Sequence, residues 1–339
     1  MKEKKENWQS IRGICILAVV LIHSLGGFNY STRYGTEFVV LRQIINFAVA
    51  TFVFMAGYFV NVDALSDKEF SYKHWIIYRG GERLCIPFMI WSLLYSGLEL
   101  LKIVHSGNEI HWLGFVYRFI VGKSATPFYY IVVLVQLTVI TPWLVKTVKQ
   151  NGVISRILWL VTPLYLMYLY AWNYIVGISP RLYETLFPAW FGFYYLGIHV
   201  RCGWKLKCNG YAAAGALALS CVEAVGLRAV GFDIGFYTSQ ITVGSFLYSV
   251  TIIGWLLKKN ENNRSGCHLL SKIGDCSYGI FYIHMAVLMI VGRIIECENW
   301  YAYWALRFVL TSFISYIVVH LAQMALRNHK KLLRYIGFV

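Results

Sequence analysis

The 339-residue chain is 58% hydrophobic and 17% aromatic but only 14% charged, where a soluble chain carries about a quarter charged residues. That deficit makes lipid the solvent and excludes an ordinary soluble enzyme. The net charge of +15, from 31 Lys and Arg against 16 Asp and Glu, falls in short clusters between apolar segments, the pattern of loops facing anionic lipid and not of a nucleic-acid surface.

Crossing a hydrocarbon core of about 30 Å takes about 20 mostly apolar residues as a helix. Ten segments qualify, at 11–28, 38–62, 84–104, 126–145, 154–174, 186–202, 209–228, 238–258, 273–294 and 303–326. The first follows "MKEKKENWQS" and resembles a signal peptide. No clean small-x-small cleavage site follows it and many spans do, so it reads as an uncleaved helix. Between the second and third spans, "SDKEFSYKHWIIYRGGERLCIP" mixes charges with aromatics and predicts a short interfacial helix. The connection 105–126 holds "IHWLGFVYRFIVGK" and predicts a helix lying in the outer interface or a re-entrant lid.

Most Lys and Arg fall in the two tails and alternate connections: Arg12 at the start, then Lys68, Lys73, Arg79 and Arg83, with further groups around Lys146, Lys205 and Arg264 and after Arg327. The positive-inside rule then predicts both termini cytoplasmic. The expected fold is an all-α integral membrane protein, a bundle of about ten transmembrane helices forming one polytopic domain over 1–339 with no appended soluble domain. The eight cysteines form no CxxC pair; they read as small apolar fillers, with neither a metal site nor a disulfide framework expected.

Ionisable groups within spans are costly and mark functional paths. His23 lies eleven positions after Arg12, about 16 Å along a helix and after nearly whole turns, hence on nearly the same face at mid-depth or beyond. His284 stands eleven positions after Ile273 in another span entering from the cytoplasm. Glu99 and Glu223 fall in the outer parts of the third and seventh spans. For the histidines the alternative is an interhelical hydrogen bond; for the carboxylates it is snorkelling or a local ion pair. The arginines at the cytoplasmic edge also serve as anchors.

Several motifs carry a resemblance. Arg12 and His23 in "RGICILAVVLIH" match the Arg-to-His signature in the first helix of the acyltransferase 3 family of membrane acyltransferases. "FVFMAGYF" (52–59) resembles the end of that family's second helix, with Ala56 where serine is common. "YRGGERLCIPFMIW" (78–91) is similar to its basic segment before a proline. "TPFYYIVVLVQLTVITPWL" (126–144) resembles its fourth-span pattern, with Tyr129 where tryptophan is frequent. "IGDCSYGIFYIH" (273–284) resembles the late Gly, Ser-Tyr-Gly and His motif.

The resemblance implies transfer of an acyl group, usually acetyl from acetyl-CoA, to a hydroxyl or amine of a sugar, glycan or small-molecule acceptor. It points to polysaccharide modification in the cell envelope, in a bacterial cytoplasmic membrane, with a homo-oligomer possible. Arg12, Arg79 and Arg83 are the expected phosphate ligands of acyl-CoA. His23 is the expected general base or transient acyl carrier. Ser277, Tyr278, His284, Glu99 and Glu223 are expected to orient His23 or the acceptor. A proton-coupled transporter or flippase of a glycan or small metabolite is the competing reading, with a non-catalytic binding module third.

Overall fold

The computed structural model describes residues 2–26, 28, 34–67, 69–261 and 267–338. Lys68 and Arg264, two of the expected cytoplasmic cations, lie outside them. Among the described residues there is no strand.

The helices are α1 (Lys2–Ser24), α2 (Gly35–Ile45), α3 (Phe47–Tyr58), α4 (Tyr72–Trp75), α5 (Ile86–His105), α6 (Trp112–Ile120), α7 (Tyr129–Gln150), α8 (Val153–Ile157) and α9 (Val161–Val176). They continue with α10 (Pro188–Arg201), α11 (Gly210–Val230), α12 (Ile234–Tyr237), α13 (Val243–Glu261), α14 (His268–Asp275), α15 (Ser277–Ile294), α16 (Trp300–Ala325) and α17 (Lys330–Tyr335). Seven continuous helical segments among the described residues are long and apolar enough to cross a membrane: Gly35–Tyr58, Tyr72–His105, Thr126–Gln150, Val153–Val176, Gly210–Val230, Ser277–Ile294 and Trp300–Ala325. The helices α1, α10 and α13 overlap the other three expected spans.

The chain divides into two units, one comprising 1–70 and 141–274, the other 71–140 and 275–339. In the first unit α10 is the centre. Every residue from Ala189 to Ile198 is buried, the condition of a helix that is apolar all round. Gly57 and Gly197 let α3 and α10 cross backbone to backbone: a Cβ on Gly57 would overlap the Tyr194 carbonyl, and one on Gly197 the Phe54 carbonyl. The glycine of the "FVFMAGYF" motif is therefore a packing requirement.

The expected eighth span, 238–258, begins differently from expectation. Residues 238–242 are irregular and separate α12 from α13, and Thr238, Ser239, Gln240 and Thr242 are all buried. Irregular backbone is tolerated there only if protein answers its polar groups. Gln43 and Asn46 do so: Gln43 Nε2 donates to the Tyr237 carbonyl at 3.1 Å and Asn46 Nδ2 to the Ser239 carbonyl at 2.9 Å. Asn46 itself stands at the break between α2 and α3.

In the second unit the expected interfacial helix before the third span is instead the start of one continuous helical segment, Tyr72–His105. Its residues Ile76–Cys85 wind as a wider π-helix, with the Ile86 N–H bonded to the Gly81 carbonyl five residues back. Its start is pinned to α7. Pro142 has no N–H for the carbonyl of Thr138 four residues earlier, and Trp75 Nε1 donates to that carbonyl at 3.0 Å. The Tyr72 hydroxyl donates to the neighbouring Val139 carbonyl at 3.0 Å. The Thr-Pro of the fourth-span motif thus frees one of the two acceptors on which the preceding basic segment is hung. The 105–126 connection does contain a helix, α6, whose Leu113 is 88% exposed and whose Trp112, Val116 and Ile120 are exposed with it, an apolar stripe at helical spacing.

Candidate functional site

Arg12 and His23 both lie on α1, a single helix over Lys2–Ser24. It begins well before residue 11 and ends one residue after His23, so the imidazole belongs to the last turn and not to mid-helix. Around its middle, α1 passes α14 at van der Waals limits: a Cβ on Gly13 would overlap the Leu270 carbonyl, and one on Gly274 the Gln9 carbonyl. Arg12 is held beside this crossing. Its Nη1 donates to Gln9 Oε1 at 3.2 Å, and its Cζ lies 5.3 Å from the Phe59 ring centroid. Trp8 packs on Tyr58 and Phe59, with centroids 4.8 and 5.2 Å apart. The first- and second-helix motifs therefore meet at Arg12, where a planar guanidinium is fixed over an aromatic face.

At the other end of α1, a residue that sequence reasoning missed comes to the His23 turn. Arg42 Nη1 donates to the Ile22 carbonyl at 3.1 Å. A free carbonyl in the last turn of a helix is a natural partner for a cation. At the next residue of the same span, Gln43 Oε1 accepts from Asn46 Nδ2 at 3.0 Å and from the Ser220 and Ser245 hydroxyls, both at 2.8 Å. All four side chains are fully buried. The signal was present as "RQIIN" inside an apolar span, yet its partners lie about two hundred residues away.

That network gives a direct stability prediction. Gln43→Leu strips the acceptor from three donors at once, and each buried polar group left unpaired costs about 1–3 kcal/mol. The variant is expected to lose at least about 2 kcal/mol, read as a lowered thermal midpoint in detergent; a wild-type midpoint would refute the network.

Glu223 stands beside this cluster. Its carboxylate accepts from the Tyr170 hydroxyl and from the Gly244 N–H at 2.7 Å, while the Tyr170 oxygen accepts the Val243 N–H at 3.1 Å. Glu223 therefore caps the first turn of α13, where a carboxylate is electrostatically favoured.

In the second unit, Arg79 and Arg83 lie on the π-helical stretch. Arg79 Cζ sits 5.3 Å from the ring centroid of Trp75, the residue pinned at the proline break. Arg83 donates to the Tyr78 hydroxyl at 3.0 Å, its Cζ 5.0 Å from that ring's centroid. Tyr278 reaches this segment: its hydroxyl donates to the Arg83 carbonyl at 2.8 Å and lies 3.0 Å from the Tyr282 hydroxyl. Ser277 is buried at the start of α15. His284, fully buried, bonds through Nδ1 to the Ile280 carbonyl at 2.9 Å. A carbonyl only accepts, so Nδ1 carries a proton. The Tyr95 hydroxyl bridges the same helix around His284, donating to the Tyr282 carbonyl at 2.7 Å and accepting the Ala286 N–H at 3.0 Å. Glu99 is ion-paired with Arg118 of α6, which fastens the 105–126 connection to α5.

Among the described residues no three His, Cys, Asp or Glu gather as a metal site. The eight cysteines are free. Cys208, in the connection before α11, has its thiol pushed up by burial and is accordingly a poor nucleophile.

Residues 6–320 match the acyltransferase domain of the acyltransferase 3 family. The chain belongs to that family. No curated protein and no solved structure matches it. Membership of the acyltransferase 3 family, with seven apolar helices of spanning length, makes this a multi-pass membrane acyltransferase. Every motif that carried the resemblance lies within the matched residues, and the geometry gives several of them physical roles: Gly57 for close packing, the Thr-Pro of α7 for hanging the basic segment, and Tyr278 for bracing it.

Proposed function

We propose that this acyltransferase takes its acyl group, acetyl first among candidates, from acyl-CoA on the cytoplasmic side and passes it to a hydroxyl or amine of a sugar, glycan or small molecule. The observation carrying the reading is α1 itself, one unbroken helix with a guanidinium at its middle and an imidazole on its last turn, about 16 Å apart by helical rise. That spacing suits a donor whose phosphates and thioester lie at opposite ends of a long, flexible arm.

In this proposal Arg12, Arg79 and Arg83 are phosphate ligands, each pre-oriented over an aromatic ring. His23 takes the proton from the acceptor as its oxygen or nitrogen attacks the thioester carbonyl. The tetrahedral intermediate then collapses, the C–S bond breaks, and the CoA thiolate recovers a proton. The carbonyl end of α1 carries the negative pole of the helix dipole, which favours the positive charge a base acquires. Glu223 and His284 are proposed to orient the acceptor or the ring, and Glu99 to hold the outer connection. The chain is further proposed to cross the bilayer ten times, with α1, α10 and α13 completing the count, and to keep both termini in the cytoplasm of a bacterial cell. The distribution of the 31 basic residues supports that orientation.

The test is thermal stability of the detergent-solubilised protein titrated with acetyl-CoA and with CoA. A ligand at one hundred times its dissociation constant adds about 2.7 kcal/mol. A saturable upward shift, weakened in Arg12→Ala, is expected; no shift in folded wild-type protein would refute the donor.

A further inference from the structure

The family match stops at residue 320, yet the chain beyond it is firmly seated on the basic segment of the second unit. Gln323 Nε2 donates to the Phe338 carbonyl at 3.2 Å, and Trp91 Nε1 to the Ile336 carbonyl at 2.9 Å. The Phe338 ring stacks on Trp91 with centroids 6.0 Å apart. Between these anchors Gly337 has φ +73°, and a Cβ there would come within 2.7 Å of the Tyr282 ring, so only glycine makes the turn. The tail is thereby folded back with α17 beside Tyr78–Arg83.

This return sets Arg334 against Tyr78. Its Cζ lies 5.5 Å from the Tyr78 ring centroid, and Arg83 Cζ lies 5.0 Å from the same centroid. The two guanidiniums are therefore separated by no more than the sum of those distances, a span within reach of a diphosphate bound through N–H···O bonds of about 2.8 Å at each end. Glu82 of the basic segment pairs with Arg334 at 3.2 Å. Among the described residues no carboxylate pairs with Arg83. Both partners of the Glu82 pair are about one-third exposed, so the pair is weak enough to exchange.

We propose that the C-terminal tail completes a phosphate-binding site, with Arg83 and Arg334 gripping the two sides of a phosphate or diphosphate group beside the Tyr78 phenol and Arg334 leaving Glu82 for it. The phosphate belongs either to acyl-CoA, in which case the site rests on the donor reading above, or to an anionic lipid headgroup.

Arg334→Gln and Glu82→Gln break the same ion pair, which makes them diagnostic. If the pair were only a structural latch, both would act alike. For a phosphate site they act in opposite directions: Arg334→Gln weakens binding about tenfold or more, and Glu82→Gln tightens it by removing a competing carboxylate. The readout is the dissociation constant of the full chain for CoA and dephospho-CoA in neutral detergent. Alongside it runs the thermal shift on transfer from phosphatidylcholine to phosphatidylglycerol nanodiscs. Opposite shifts for CoA support the nucleotide source; opposite shifts confined to the phosphatidylglycerol response support the lipid source. A wild type that ignores CoA but responds to phosphatidylglycerol through Arg334 refutes the donor reading and leaves the phosphate site standing. Wild-type binding of either ligand that both variants leave unchanged, or alter in the same sense, overturns the phosphate site and leaves the donor reading intact.

Discussion

His23→Ala is expected to lower acyl transfer by about 10² to 10⁴-fold, the range a positioned general base supplies, while leaving CoA binding and the thermal midpoint close to wild type. The reason for this separation is the location of the side chain. His23 is on the last turn of α1 and half-buried, outside the fully buried core. The phosphate ligands proposed for the donor lie elsewhere. Turnover of acetyl-CoA to CoA in the presence of membrane acceptors, set beside CoA affinity of the same preparation, is the measurement. Equal loss of binding and turnover would make His23 a donor ligand or a packing residue. Retained turnover would remove it from the chemistry altogether. His23→Gln keeps a hydrogen-bonding side chain but cannot take up the proton, so it should be as inactive as the alanine variant.

Gly57→Val should fail in a different way, by preventing the first unit from packing. The Cβ would overlap the Tyr194 carbonyl, which is backbone in the middle of α10, where every neighbouring residue is buried. Neither helix can yield without opening the other contact of the same crossing, at Gly197 and the Phe54 carbonyl. Overpacking ordinarily costs about 1–3 kcal/mol, and a backbone clash falls at or beyond the upper end. The expected result is loss of the monodisperse peak on gel filtration in detergent, with Gly57→Ala intermediate. A Gly57→Val protein with a wild-type elution profile and thermal midpoint would show that the two helices do not cross there.

These two positions illustrate how differently site and scaffold are encoded. Arg12 and His23 are legible because both lie on one helix, and the helical rise alone sets their separation. Gly57 is legible as part of a motif, but its reason is not, because the residue it must clear is Tyr194. The same holds for Pro142. Its missing N–H is evident from sequence, while the indole that takes the orphaned carbonyl, Trp75, is identified only by the fold. The expected interfacial helix near Tyr72 is part of a longer helix for a related cause: polar and aromatic residues that look like a loop find partners on α7, and two adjacent glycines admit a wider turn. Glu99 and Glu223 were visible as carboxylates in apolar surroundings, but Arg118, Tyr170 and the start of α13, which define what each does, were not.

Composition, charge placement and motif order by themselves determined that lipid is the solvent, that the chain is helical and that it belongs to the acyltransferase 3 family, because each depends on residue type and short-range spacing. Tertiary structure decided the rest: that Gln43 and Asn46 carry the irregular backbone before α13, that Arg42 meets the last turn of α1, and that Arg334 returns to Tyr78 and Glu82. A buried polar group must be paired wherever the fold allows, and its partner lies at no characteristic distance along the chain.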